Sequence, residues 1–334
     1  MANIKSYFAD FFKISKKTAK DWMEDDPFKQ SAVVAYYAVF SIPALLVIVI
    51  ALAGLAFGQE AVQGEISAQI KVALGAQAAE SIEGVIATAS KEKTSIIATI
   101  IGFVTLILGS TGVFVQLQAV LNEIWEVKVV AKKKLLKTVK TRLFSFGLVL
   151  SMAFLMLVSL LLTTGLEAFS GLIKNMLPDF VLYVFQFLNF IISFGVITVL
   201  FALIFKILPD AKIRLRDVWV GAMLTTLLFI LGKFALGVYF AKADPASAYG
   251  AAGSVVLIML WVSYSCMILF FGAEFTKQYA SFYGHKIEAT NDSEIIETEP
   301  EKEKEKGKEK EDEEENDEEK DINPFIKKYV DRNE

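Results

Sequence analysis

Residues Val218–Phe240 read VWVGAMLTTLLFILGKFALGVYF, an apolar run broken by a single charge, Lys233. As a helix this run rises about 34 Å at 1.5 Å per residue, enough to cross a hydrocarbon core of about 30 Å. Five other stretches are as long and as apolar: Ala32–Phe57, Ser95–Gln118, Leu143–Phe169, Phe180–Leu208 and Ala251–Phe275. None has an acidic residue in its central part, and Lys233 is the only cation well inside any of them. The fold class expected is all-α: a polytopic membrane protein with a bundle of six transmembrane helices filling about residues 31–280.

Charge agrees with that division. The 334 residues are 54% apolar with a mean hydropathy of +0.47, yet 22% are charged, so the charge must be segregated. Residues 1–287 carry a net +7 and residues 288–321 a net −12, which makes a basic body with an acidic tail. Lysines and arginines also alternate between sides. The N-terminal segment and the second and fourth connections hold 17, and the first, third and fifth connections hold 5. Basic connections stay in the cytoplasm, so both termini are expected there. The single cysteine, Cys266, excludes an intrachain disulfide and reads as apolar packing. The N-terminus lacks the apolar core and cleavage site of a secretory signal.

The segments between spans have their own patterns. In residues 1–30, Ile4, Phe8, Phe11, Phe12 and Trp22 recur near helical spacing among lysines, as in an amphipathic helix lying in the membrane interface. Pro27, after Asp26, suits the first turn of a helix. Pro43 removes a backbone donor and should bend the first span, while Pro178 and Pro209 bracket the fourth. Residues 59–93 place isoleucines and leucines at helical intervals, suggesting an external cap of short helices. VKVVAKKKLLKTVKTR, at 127–142, suits anionic lipid head groups; lacking interleaved aromatics, it does not suggest nucleic acid. From Glu288 the chain becomes EPEKEKEKGKEKEDEEENDEEKD-like, a tract with nothing to bury and expected to be disordered in 288–334. The alternative is a contact arm whose end, INPFIKKYV, docks on a protein partner or folds back on the basic loops.

Four stretches, in order, resemble the YihY/BrkB family of bacterial inner-membrane proteins. They are AYYAVFSIPALL (35–46), AVLNEIWEVK (119–128), LPDAKIRLRDVWVGAMLTTLLF (208–229) and YGAAGSVVLIMLWVSYSCMILFFGAEF (249–275). The resemblance implies six transmembrane helices in the bacterial cell inner membrane, with links to virulence and to the movement of solutes or lipids. It marks Pro43, Pro209, Tyr249, Gly250, Gly253 and Glu274 as family-motif positions. The acidic tail departs from the family core. Family members have also carried the label ribonuclease BN. Metal-dependent RNA cleavage needs clustered His and carboxylate ligands, and this chain has one histidine, His285, so the nuclease reading is rejected.

Polar residues inside spans are the candidate functional groups. Thr226, Lys233 and Gly237 fall on one helical face, and small or hydroxylated residues on a stripe usually face another helix. Lys233 then lines a polar path; the plainer alternative is that its stem snorkels to the head groups. Gln186, Asn189 and Ser193 follow i, i+3, i+7 on the fourth span, either bridging helices or lining a solute path. Glu167, at the end of the third span, is a possible counter-charge, and Tyr264 lies near the middle of the sixth. Gly250 and Gly253 permit close helix approach. Gln116, Gln118 and Glu274 sit at the inner ends of their spans, where a lone carboxylate is ordinarily solvated. No nucleotide-binding loop, cofactor motif or acid–base constellation occurs, so no cofactor and no enzymatic activity are expected. The reading is a transporter or translocator of an anionic solute or lipid. The alternative is a membrane scaffold acting through its cytoplasmic loops and tail.

Overall fold

The computed structural model describes residues 4–41, 58, 60, 62–64, 66–68, 79, 83, 112–129, 179–243, 245, 247–290 and 293–295. The third span with Glu167, Pro43, most of the first two spans and of the 59–93 cap, the basic run beyond 129 and the tail beyond 295 lie outside the described residues.

Among the described residues, three helices are long and apolar enough to cross a membrane: segments Phe187–Ile207, Leu215–Phe240 and Val255–Phe282. They belong to α4 (Asp179–Ile207), α5 (Leu215–Ala243) and α6 (Gly253–Phe282), and match the fourth, fifth and sixth expected spans. A 3₁₀ turn, Ser247–Ala252, leads into α6. Before them come α1 (Ile4–Glu24), α2 (residues 27–41) and α3 (residues 112–124). Helix α2 begins at Pro27, as proline's fixed φ favours, after Asp26 turns the chain at φ 50°. Helix α3 runs six residues past the expected end at Gln118, and α6 seven past Phe275. Polar side chains lower the hydropathy there, but backbone hydrogen bonding continues.

Many large apolar side chains on α4 and α5 point away from the protein interior. Tyr183, Phe187 and Phe190 on α4 and Leu231 and Phe234 on α5 are more than half exposed, which only an apolar surrounding makes inexpensive. Helix α6 packs against both α5 and α1 and is the most enclosed of the three. The core gathers at one end of the bundle. There Leu121, Ile124 and Trp125 of α3 and its C-terminal turn meet Phe205 of α4, Val218 of α5, and Phe270 and Ala273 of α6.

Helix α1 is amphipathic, but its apolar stripe covers protein. Ile14 and Thr18 are buried, Phe11 packs on Phe275 and Trp22 stacks edge-on against Phe271, both pairs with centroids 5.8 Å apart. Of the residues that the sequence assigns to the membrane interface, Phe11 and Trp22 reach the end of α6, Phe12 is exposed, and the side chains of Ile4 and Phe8 lie outside the description.

Four short strands were not expected. β1 (Val127–Val129) pairs antiparallel with β4 (Ser293–Ile295), and β2 (Ala211–Lys212) with β3 (Glu288–Ala289). The boundary of the tail therefore shifts: its first residues are strand-paired to the connections after α3 and α4, because those loops offer free strand edges.

Candidate functional site

The end of the bundle that holds the core also collects the polar groups. Segments assigned to one side by their charge meet there: α1, the end of α3, the α4–α5 loop and the residues after α6. Asp210, in that loop, accepts hydrogen bonds from Gln118 Nε2 and Asn122 Nδ2, both at 3.0 Å, and its backbone N–H donates to Asn122 Oδ1 at 2.8 Å. Its carbonyl accepts from the backbone of Thr290 and the hydroxyl of Ser293, which ties in the strands. Pro209 beside it is buried, and Lys206 donates to the carbonyl of Ile213 across the same turn. Gln116 donates to Gln30 Oε1 at 2.9 Å, and Gln30 in turn donates to Glu123.

Glu274 is neither lone nor solvated. It is fully buried on α6, accepts from Gln278 Nε2 at 2.6 Å and lies 3.8 Å from Lys277 Nζ. Among the described residues, its Oε2 meets the Lys277 ammonium at that distance but has no hydrogen-bond partner. Lys277 pairs at 2.9 Å with Glu126, and Gln278 also donates to Asp21 of α1 at 2.8 Å. One ammonium thus serves carboxylates from two elements. Asp25 feels the imbalance. Burial pushes its carboxyl above the ordinary range, Lys277 opposes this, and Glu123, Asp21 and Glu126 add to it. Among the described residues, no three His, Cys, Asp or Glu side chains are placed to hold a metal ion.

The seams between spans are apolar and close. Gly221 of α5 faces Thr276 of α6, and Gly272 of α6 faces Thr225 of α5; a Cβ on either glycine would overlap the opposing threonine hydroxyl. Each hydroxyl turns back on its own helix, Thr225 to Gly221 O at 2.7 Å and Thr276 to Gly272 O at 2.8 Å. Further along, a Cβ at Gly232 would sit 2.7 Å from the ring of Tyr264. This small-residue pattern at i, i+4 stands in the sequence as GAMLT and GAEFT.

The other residues singled out by sequence are spread along the spans. Thr226 is buried and meets Thr198 of α4 at 3.0 Å. Lys233, two turns further on, is exposed between the exposed Leu231 and Phe234, and no acid pairs with it among the described residues. Asn189 and Ser193 are half-buried on α4; Gln186 lies on the same helix, its side chain outside the description. Tyr249 and Gly250 fall in the 3₁₀ turn, Tyr249 exposed, and Gly253 is buried at the start of α6.

Long apolar helices with exposed apolar faces and a polar end knotted by hydrogen bonds define an α-helical membrane protein. The chain belongs to the BrkB family: the family profile described as "Virulence factor BrkB" matches residues 18–294. Curated relatives named "UPF0761 membrane protein" are similar over roughly half of the chain. That of Verminephrobacter eiseniae is 27% identical over 52% of this chain and 40% of its own length. That of Tolumonas auensis is 27% identical over 53% and 56%, and that of Yersinia pseudotuberculosis 26% identical over 61% and 65%. The chain thus spans 40 to 65% of the length of these relatives. No solved structure matches it significantly.

Proposed function

We propose that this protein is a multi-pass protein of the bacterial inner membrane that binds and moves an anionic solute or lipid. The observation supporting this is Lys233. It is a cation on a lipid-length apolar helix, exposed beside Leu231 and Phe234, with no acid paired to it among the described residues. An ammonium in that position recruits an anion, since leaving it unpaired in hydrocarbon is costly. Thr226 and Tyr264 line the adjoining helix seams, and the Asn189/Ser193 stripe adds amide and hydroxyl groups at comparable depth. Mass spectrometry of small molecules and lipids retained by gently purified protein tests the reading. Wild type should carry an anionic species that Lys233→Leu loses. Identical retention by both proteins would leave Lys233 a snorkelling anchor and end this reading.

A second reading, a scaffold acting through its loops and acidic tail, draws support from strands β3 and β4. They fasten the root of the tail to the connections after α3 and α4. Under that reading, removal of residues 296–334 abolishes function and Lys233→Leu does not.

A further inference from the structure

A cleft of about 420 Å³ opens at the polar end, lined by Lys212, Ile213, Arg214, Gly284, His285, Lys286 and Glu288. Two pieces of chain make it. One is the link between β2 and α5; the other is the turn after α6, where Gly284 at φ 71° reverses the backbone. Four of its seven lining residues are cationic or protonatable, against one carboxylate. Glu288 stands opposite Lys212 in the β2–β3 register and offsets that lysine. Arg214, His285 and Lys286 remain.

The wall of this cleft is built from inside. Asp217, fully buried in the first turn of α5, holds His285 Nδ1 with both carboxylate oxygens at 2.9 and 3.0 Å. That contact fixes the imidazole plane and leaves Nε2 as the ring nitrogen available to the cleft. The backbone of His285 is fixed as well, its N–H donating to Ala280 O at 2.8 Å. Arg214 precedes α5, and its carbonyl accepts from the N–H groups of Asp217 and Val218, so the guanidinium starts from an anchored backbone. The apolar surroundings matter equally. Leu215 is 57% exposed next to Arg214, and Phe282 and Tyr283 are 40% and 42% exposed beside Gly284. Bulky apolar groups therefore adjoin, in sequence, the residues of a cationic hollow at the ends of two membrane-length helices, with Lys13 of α1 over the Phe282 ring at 5.6 Å.

We propose that this cleft binds the phosphate of an anionic phospholipid, with its acyl chains lying along Leu215 and Phe282. Arg214 and Lys286 supply charge and His285 Nε2 supplies direction; a guanidinium fork suits phosphate oxygens. The exposed apolar border favours a lipid over a free anion. The site is 18 residues along α5 from Lys233, about 27 Å, and does not depend on the transport reading.

The test is calorimetric titration of the full chain in non-ionic detergent with dihexanoyl phosphatidylglycerol and, separately, with inorganic phosphate. Wild type should bind the lipid saturably and phosphate far more weakly. At about fivefold per cation, Arg214→Gln with Lys286→Gln should weaken lipid binding roughly 30-fold. Lys16→Gln with Lys20→Gln, which removes equal charge from exposed positions on α1, should leave it unchanged. Equal losses in both double variants would mean diffuse attraction and overturn the site. Phosphate binding as tightly as lipid would overturn the lipid assignment. No lipid binding by wild type, as when the chain's own glutamates fill the cleft, overturns the proposal too. Both residues are exposed, so melting curves should match wild type; if the double variant does not fold, Lys286→Gln alone carries the expected fivefold loss.

Discussion

The polar end and the buried seams between α4, α5 and α6 satisfy their polar atoms in different ways. At the polar end, partners come from distant parts of the chain: Asp210 with Gln118 and Asn122, Gln278 with Asp21, His285 with Asp217. Within the spans, hydroxyls close onto the carbonyl four residues back, as Thr198, Thr225, Thr226 and Thr276 do. Where water and head groups reach, an imperfect network is tolerable, and polar groups can be used to join elements. In hydrocarbon these hydroxyls close on their own helix first, Thr198 also reaching Thr226 across the α4–α5 seam, so the helices meet largely through shape. Glu274 marks the border, being buried like a span residue yet wired like an end residue.

The largest expected effect tests the shape half of this contrast. Gly272→Leu drives a side chain into Thr225, and overpacking of that kind should cost about 3 kcal/mol, measured by denaturation in mixed micelles. A loss below roughly 0.5 kcal/mol, the range of ordinary surface substitutions, would show that α5 and α6 do not depend on the interlock. Next comes the network half. Asp210→Ala strips the acceptor from Gln118 and Asn122 and should cost about 2 kcal/mol, with faster amide exchange in the α4–α5 loop. If exchange quickened equally in the middle of α5, the loop would not be a separate unit.

The smallest effect is a slope. Asp25 titrates higher in the fold than its ordinary 3.8, so the folded state holds its proton more tightly than the unfolded chain. Its ionised form therefore burdens the fold. The resulting penalty is absent below the ordinary value, grows as pH rises through the raised one, and is complete above it. Asp25→Asn should be more stable than wild type near neutrality and lose that advantage toward roughly pH 4. A stability difference that stays constant over this range would detach Asp25 from the acid cluster.

Much of the architecture could be read directly from residues. Span length and apolar content located α4, α5 and α6, and Pro27 marked the start of α2. The site was less legible. GAMLT and GAEFT carry their own signature, but nothing in either says that the two interlock. Val127 and Ile295 pair across the length of the chain in strands of three residues, too short for alternation to register. His285 has no local cue either, because its meaning comes from Asp217, 68 residues and two long helices earlier. Glu274 looked solvated because its cover is supplied by α1, whose stripe resembled a membrane-surface motif.

The Gly–Thr interlock has a mechanical consequence. Its two notches are four residues apart, about 6 Å, on antiparallel helices, and each accepts one threonine. Sliding α6 along α5 by a single turn would set threonine against threonine in one direction and glycine against glycine in the other, so both threonines are seated in one position alone. The helices can swing, but they swing as one beam. A tilt imposed at the far end of the pair is then carried to the polar end, where Asp217 of α5 and Glu274 of α6 sit.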